Sequence, residues 1–255
     1  MAAMAVAVAS LTACGGGGND DPVDTPSGTT AVGCLPSAQF VSGYRNSLTY
    51  AYTSVVTTNG VAGTPTSDTI TMNRAYAGTT TLAGGITAHV TNDSWPASPT
   101  FTSVDYNGIS GNVVLTYGSD DLTAGSPTHT TRYVESLDFG ISVGQSRSYS
   151  YTQTDTNPSG TFTVSGSYSL AGVESLSTPL GTFTNTCKLS FSETSTDTST
   201  GERTTESGTA WLSAGSGLTL KTVTTSTSSS SPTQSTADEI TLTSGSINGT
   251  TLVAQ

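Results

Sequence analysis

The chain has 255 residues, of which 33% are hydrophobic, 10% are charged and 90 are Ser or Thr. Ten Tyr and six Phe supply material for a buried core and argue against a disordered chain. A net charge of −11 argues against a nucleic-acid partner, whose phosphates need clustered cations, and two His argue against a His-rich metal site.

Residues 1–13 are rich in Ala, Val and Leu. About 20 apolar residues are needed to span a bilayer, so this run fits the apolar part of an export signal instead. It ends Leu11-Thr12-Ala13-Cys14, followed by Gly15 to Gly18. That junction resembles the lipobox of bacterial lipoproteins, in which the Cys is acylated and becomes the new N-terminus. The resemblance implies acyl chains on Cys14. Gly15 after the Cys, by the sorting rule of those lipoproteins, implies the outer membrane, at its periplasmic face or on the cell surface. No Lys or Arg precedes the apolar run, which points to a start codon further upstream.

Residues 14–33 read as a lipidated Cys and a flexible Gly/Asp/Pro linker, too polar to offset its ordering entropy. One domain is expected over 34–255. With Cys14 lipidated, Cys34 and Cys187 remain. An oxidising periplasm permits a disulfide between them; the alternative is a pair of buried free thiols.

From there the chain alternates with period two. Leu48, Tyr50, Tyr52 and Val56 share one face, with Thr49, Ala51 and Thr53 on the other. Phe162, Val164, Tyr168 and Leu170 alternate with Ser and Thr, as do Phe183, Cys187, Leu189 and Phe191, and Ile240 with Leu242. This is the pattern of antiparallel strands with one buried and one wet face. About ten strands are expected near 46–58, 66–76, 85–93, 100–106, 112–118, 129–135, 146–156, 161–173, 183–197, 203–213, 217–227 and 236–247, some of these merging. Turn signals fall at Asn59-Gly60, Asn107-Gly108, Asn157-Pro158-Ser159-Gly160, Thr200-Gly201 and Ser230-Ser231-Pro232. The fold class is all-β: a long antiparallel meander curled into a half-barrel or barrel-like sheet. Alternation looks alike in a closed barrel and a half-barrel. The long Ser/Thr rows argue against a membrane-spanning barrel, whose outward band is apolar.

Two segments of the C-terminal half carry a family resemblance. They are Thr178-Pro179-Leu180-Gly181-Thr182-Phe183, continuing to Cys187-Lys188-Leu189, and Trp211-Leu212-Ser213-Ala214-Gly215-Ser216-Gly217-Leu218-Thr219-Leu220-Lys221. Together they resemble the TapB-like group of exported bacterial β proteins, a domain of unknown function. Leu180 stands where that group has Ala, and Leu220 where Val is common. The match covers about 40 residues. It implies an envelope location and a curved antiparallel sheet, and it brings no catalytic residues.

Catalytic signatures are weak. The nucleophile-elbow and phosphate-loop patterns are absent. Asp93 near His89 is a poor basis for a triad in a chain with so many Ser, and His89 and His129 read as exposed. Asp120-Asp121 reads as a solvated acidic turn rather than a Ca²⁺ site. Glu135 with Glu174 is the one carboxylate pair considered for glycoside cleavage, and nothing in the sequence supports it. No enzyme, cofactor or metal is expected. The candidate ligand-facing aromatics are Trp211, Tyr168 and Phe162. The functional expectation is a lipid-anchored envelope protein, held to the membrane through Cys14, that binds or carries an apolar ligand. The alternative is a structural or protein-interaction module, adhesin-like or assembly-like, that contacts another envelope protein.

Overall fold

The computed structural model describes residues 30–254; the expected signal segment, Cys14 and most of the expected linker lie outside them. The chain forms β1 (Arg45–Thr58), β2 (Val61–Ala62), β3 (Thr66–Thr81), β4 (Thr87–Ser94), β5 (Phe101–Ser110), β6 (Val113–Thr123) and β7 (Ser126–Asp138). It continues with β8 (Ser146–Thr156), β9 (Gly160–Thr178), β10 (Gly181–Asp197), β11 (Arg203–Leu212), β12 (Thr219–Ser228), β13 (Gln234–Ile247) and β14 (Thr250–Thr251). Apart from the short rim strands β2 and β14, each strand pairs antiparallel with the next. β13 also pairs with β1, from Asn46↔Ile247 to Thr58↔Gln234. That pairing closes a 12-stranded barrel. The half-barrel alternative is thereby settled in favour of closure, and the twelve expected spans remain separate strands.

Local chemistry explains the meander. Thr, Val and Tyr favour extended backbone. Asn59 (φ 52°) and Gly60 (φ 77°) form the tight reversal after β1, a conformation these two residues adopt at low cost. The other strong Asn-Gly signal misleads. Asn107-Gly108 lies inside β5, next to a bulge between Tyr106 and Asn107, and the chain reverses after Ser110 instead. Asn107 is buried in the interior, and a Cβ on Gly108 would lie 2.8 Å from the Tyr117 hydroxyl. The pair makes room for a ring rather than a turn. Asp120-Asp121 likewise belongs to β6, because the alternation continues through it.

Directly paired residues share a face, so the register sorts the side chains. Leu48, Tyr50 and Tyr52 point inward with their partners Met72, Ile70, Leu242 and Ile240. The outer wall of β8 and β9 carries Ser148↔Ser167, Ser150↔Ser165 and Thr152↔Thr163. The wet face of the alternation is therefore the outside of the barrel.

One end of the barrel is sealed. Thr30 bridges Ser142, Ala31 N–H donates to the Ile141 carbonyl at 3.1 Å, and Gly215 N–H donates to the Gly33 carbonyl at 2.8 Å. Cys34 is disulfide-bonded to Cys187 of β10. Short 3₁₀ turns at Ala31–Cys34 and Ser37–Phe40 carry the chain across to the β3–β4 side. There the Phe40 ring lies 5.3 Å from His89, and Tyr76 N–H donates to the Tyr44 carbonyl. The strap and the inward Leu170, Leu189, Leu212, Leu220 and Leu242 form an apolar floor. The strap thus takes in Thr30 to Gly33, four residues before the expected domain start.

Inward glycines set the spacing of the aromatic layer above that floor. A Cβ on Gly166 would stand 2.6 Å from the Ser192 carbonyl oxygen and 2.7 Å from the Tyr149 ring. Gly166→Ala must push Tyr149 and the β10 backbone aside. Overpacking of this kind costs about 1–3 kcal/mol. Urea denaturation is expected to show that loss, while Gly172→Ala, with open space at its Cβ position, changes little.

Candidate functional site

The other end of the barrel is open to solvent. Val56, on the inward face of β1, is 43% exposed there. A cavity of about 240 Å³ opens at this mouth, lined by Phe162, Ser195, Asp197, Glu202 and Thr204 of β9, β10, β11 and the β10–β11 loop. A larger cavity of about 460 Å³ crosses β13, β1, β3, β4 and β5 at Ser246, Ser47, Asn73, Ser94 and Thr102. These five belong to the outward rows, and the buried Asn46, Arg74 and Asp93 of the inward rows also line that cavity.

Below the mouth the lumen wall is aromatic and acidic. Tyr133 and Tyr151 stack with ring centroids 5.0 Å apart, Tyr151 and Tyr149 follow at 6.1 Å, and Tyr149 meets Tyr168 at 6.2 Å. The ladder arises because β7, β8 and β9 each place a Tyr inward at neighbouring heights. Tyr149 Oη donates to Glu193 Oε2 at 2.8 Å. Glu193 pairs directly with Glu206 of β11, so both carboxyls face the lumen side by side. Glu135, two residues beyond Tyr133 on β7, faces the same space and makes no hydrogen bond among the described residues. Further round the wall, Tyr52 Oη donates to Asp238 Oδ1 at 2.8 Å.

Burial and like charge act together on these acids. Burial, with Glu193 nearby, pushes Glu135 up from 4.5 to about 7. Glu193 is also raised, by burial against the hydrogen bonds from Tyr149 and Tyr151. Glu206 is raised by burial and by Glu193 and Asp238. Burial pushes the Tyr149 and Tyr151 hydroxyls far up, so they remain neutral donors.

The sign of the resulting pH dependence follows. A carboxyl raised in the folded state contributes stability below its unfolded value and loses it as pH climbs through the folded one. For Glu135 that window runs from 4.5 to about 7. It corresponds to at most about 3 kcal/mol. Glu135→Gln, which mimics the protonated form, is expected to be more stable than the parent at pH 8 and equal to it near pH 4. Denaturant titrations at both pH values check this.

Deeper in the lumen one cation serves two acids. Arg74 Nε donates to Asp93 Oδ1 at 2.7 Å and its Nη2 to Asp105 Oδ2 at 2.8 Å. Burial holds Asp105 above the usual carboxylate range despite that contact, because the guanidinium is shared with Asp93. Beside this group, the Asn107 amide and the Thr91 hydroxyl are buried with no hydrogen-bond partner among the described residues, at 1% and 0% exposure. Asn107, Thr116 and Glu135 occupy one crosswise row of the wall.

Of the expected ligand-facing aromatics, Phe162 lines the mouth cavity and Tyr168 stands inward at the base of the ladder, accepting a hydrogen bond from Asp138 N–H. Trp211 stands on the outer wall. Its Nε1 donates to Glu174 Oε1 at 2.8 Å, and Lys188 Nζ lies 5.4 Å from its ring. Glu135 and Glu174 are on opposite sides of the wall and form no pair. His89 is half-buried against Tyr76 and Phe40, not exposed, and Asp93 engages Arg74 rather than His89. His129 faces inward, its Nε2 3.7 Å from Asp155. Asp120 faces outward to Arg132 and Tyr106. Among the described residues no group of three or more His, Cys, Asp or Glu is placed to hold a metal ion. Glu193 and Glu206 were not singled out in the sequence. Extending the Leu189–Phe191 alternation by two residues puts Glu193 on the inward face, and that is the signal for it.

No family model, curated protein or solved structure matches the chain.

Proposed function

We propose that the protein is a lipid-anchored envelope binding protein whose ligand occupies the barrel lumen between the mouth and the strapped floor. The observation that carries this reading is the pairing of a sealed apolar floor with an open, aromatic and solvent-reached wall above it. An eight-stranded barrel is just filled by its own side chains, and a 12-stranded one is wider. The Ser/Thr outer wall suits contact with water rather than lipid, so the lipobox-like Cys14 supplies the membrane attachment in this account. The tyrosine rings offer apolar contact to the ligand while the Tyr149 and Tyr151 hydroxyls stay hydrogen-bonded to Glu193. The two segments that resemble the TapB-like group fit the same account. They lie side by side, Cys187 against Leu212 and Lys188 against Trp211, and hold the strap through the disulfide and Gly215.

Two measurements test the proposal. Fatty-acid labelling in a bacterial host is expected to mark the protein and to vanish in Cys14→Ser; labelling that survives the substitution contradicts the anchor. Native mass spectrometry of the protein recovered from an oxidising periplasm is expected to show an extra mass that leaves when the protein is denatured. A bare mass under all non-denaturing conditions contradicts the carrier reading and favours the interaction-module alternative.

A further inference from the structure

The chemistry of the lumen wall narrows the ligand class, on the premise that the lumen is the ligand site. The chain has seven Lys and Arg in all. Among them Arg74 is the buried one, and Asp93 and Asp105 already occupy it. Lys188, Lys221 and Arg132 engage Glu174, Glu239 and Asp120 on the outer wall, Arg147 sits at the strapped end on Asp138, and Arg45 and Arg203 stand in the outward rows of β1 and β11. Glu135, Glu193 and Glu206 therefore face the lumen with no Lys or Arg counter-ion among the described residues. A neutral acyl chain seated here would strip water from three carboxyls and return no hydrogen bond. A neutral polar ligand would leave their charge uncompensated. The tyrosine rings beside the carboxyls offer apolar surface to methylenes that separate charged groups. Independently, the Asn107 amide is buried with neither oxygen nor nitrogen partnered, in the same crosswise row as Glu135. Its oxygen is an acceptor for a further N–H. The acceptors are spread along the wall rather than converging, which suits ammonium groups separated by methylenes and not a single metal ion.

We infer that the lumen binds a linear aliphatic amine cation, its ammonium groups on Glu135, Glu193 and Glu206 and its methylenes against Tyr133, Tyr149 and Tyr151. Glu135 supplies the site's unoccupied acceptor. Glu193, oriented by Tyr149, supplies the fixed one. The same carboxyls whose burial costs the fold stability hold the ligand.

Isothermal titration of the disulfide-intact protein with spermidine, and with neutral 1,8-octanediol of similar length, tests this. Spermidine is expected to bind at one site and the diol to give no heat. A charge-assisted contact is strong enough that Glu135→Gln and Glu193→Gln should each weaken spermidine about tenfold or more. Glu239→Gln on the outer wall is expected to leave it unchanged. Glu135→Gln must also melt no lower than the parent, so a loss of binding cannot be a loss of folding. Equal weakening by Glu239→Gln would mean diffuse attraction to an acidic surface and overturn the inference. Binding of the diol without spermidine would overturn the cation class and leave the lumen reading standing. Silence from both would count against both.

Discussion

Replacing Cys34 and Cys187 together by Ser is expected to lower stability by about 4–5 kcal/mol, the loss given by the chain-entropy model for so long a loop. The bridge joins residues 153 apart and ties the strap to β10. Without it the unfolded chain regains the freedom of that loop, while the folded barrel keeps its ladders. The strap then rests on the Thr30 bridge, the Ala31 and Gly33 hydrogen bonds and the packing of Phe40 and Tyr44. The double substitution is cleaner than either single one, which would leave a thiol in the apolar floor. Urea denaturation should show the midpoint falling and the slope rising, because the unfolded chain without the bridge is more expanded. Reduction of the parent protein should reproduce the same shift. A loss below about 1 kcal/mol would show that the bridge constrains little beyond what the strap's other contacts already hold.

Arg74→Met is expected to cost about 3–5 kcal/mol, because removing one partner of a buried ion pair strands the other. Here it strands two. Asp93 is 4% exposed, and Asp105 is already raised by burial while Arg74 is present. With the guanidinium gone, Asp105 becomes harder still to ionise in the folded state. The variant should therefore regain stability as pH falls and the acids take up protons. Adding Asp93→Asn and Asp105→Asn to Arg74→Met should recover most of the loss at pH 7. Chemical denaturation of the parent, the single and the triple variant checks this. A single variant as stable as the parent would mean that water already reaches the group and carries its charge.

Much of the architecture was readable in advance. Alternation marked all twelve barrel strands, since a wall with one dry and one wet face writes a period of two into the sequence. Phe162, Val164, Tyr168 and Leu170 all point inward as that period requires. Closure was not readable, because the pairing of β13 with β1 joins positions nearly 200 residues apart and leaves no local trace. Nor was the strap. Its segment is short, has no period and is recruited by tertiary contacts with Ile141, Cys187 and His89.

The site was legible in part. Phe162 and Tyr168 were found because aromatic residues on the apolar face announce themselves. Trp211 was misplaced because its neighbours Ala210 and Leu212 take the inward positions and send it out toward Lys188. The lumen carboxylates were the hardest. An acid on a strand reads as solvent-facing, and only the register shows that Glu193 and Glu206 sit with the aromatic residues instead.

The measurement that tests the central claim most directly is an NMR titration of tyrosine-ring-labelled protein with spermidine. The account predicts that the Tyr133, Tyr149 and Tyr151 signals move together and saturate, while Tyr106, on the outer wall beneath Arg132, stays in place. Movement of Tyr106 with the three lumen tyrosines unmoved would put the binding surface outside the barrel and contradict the account.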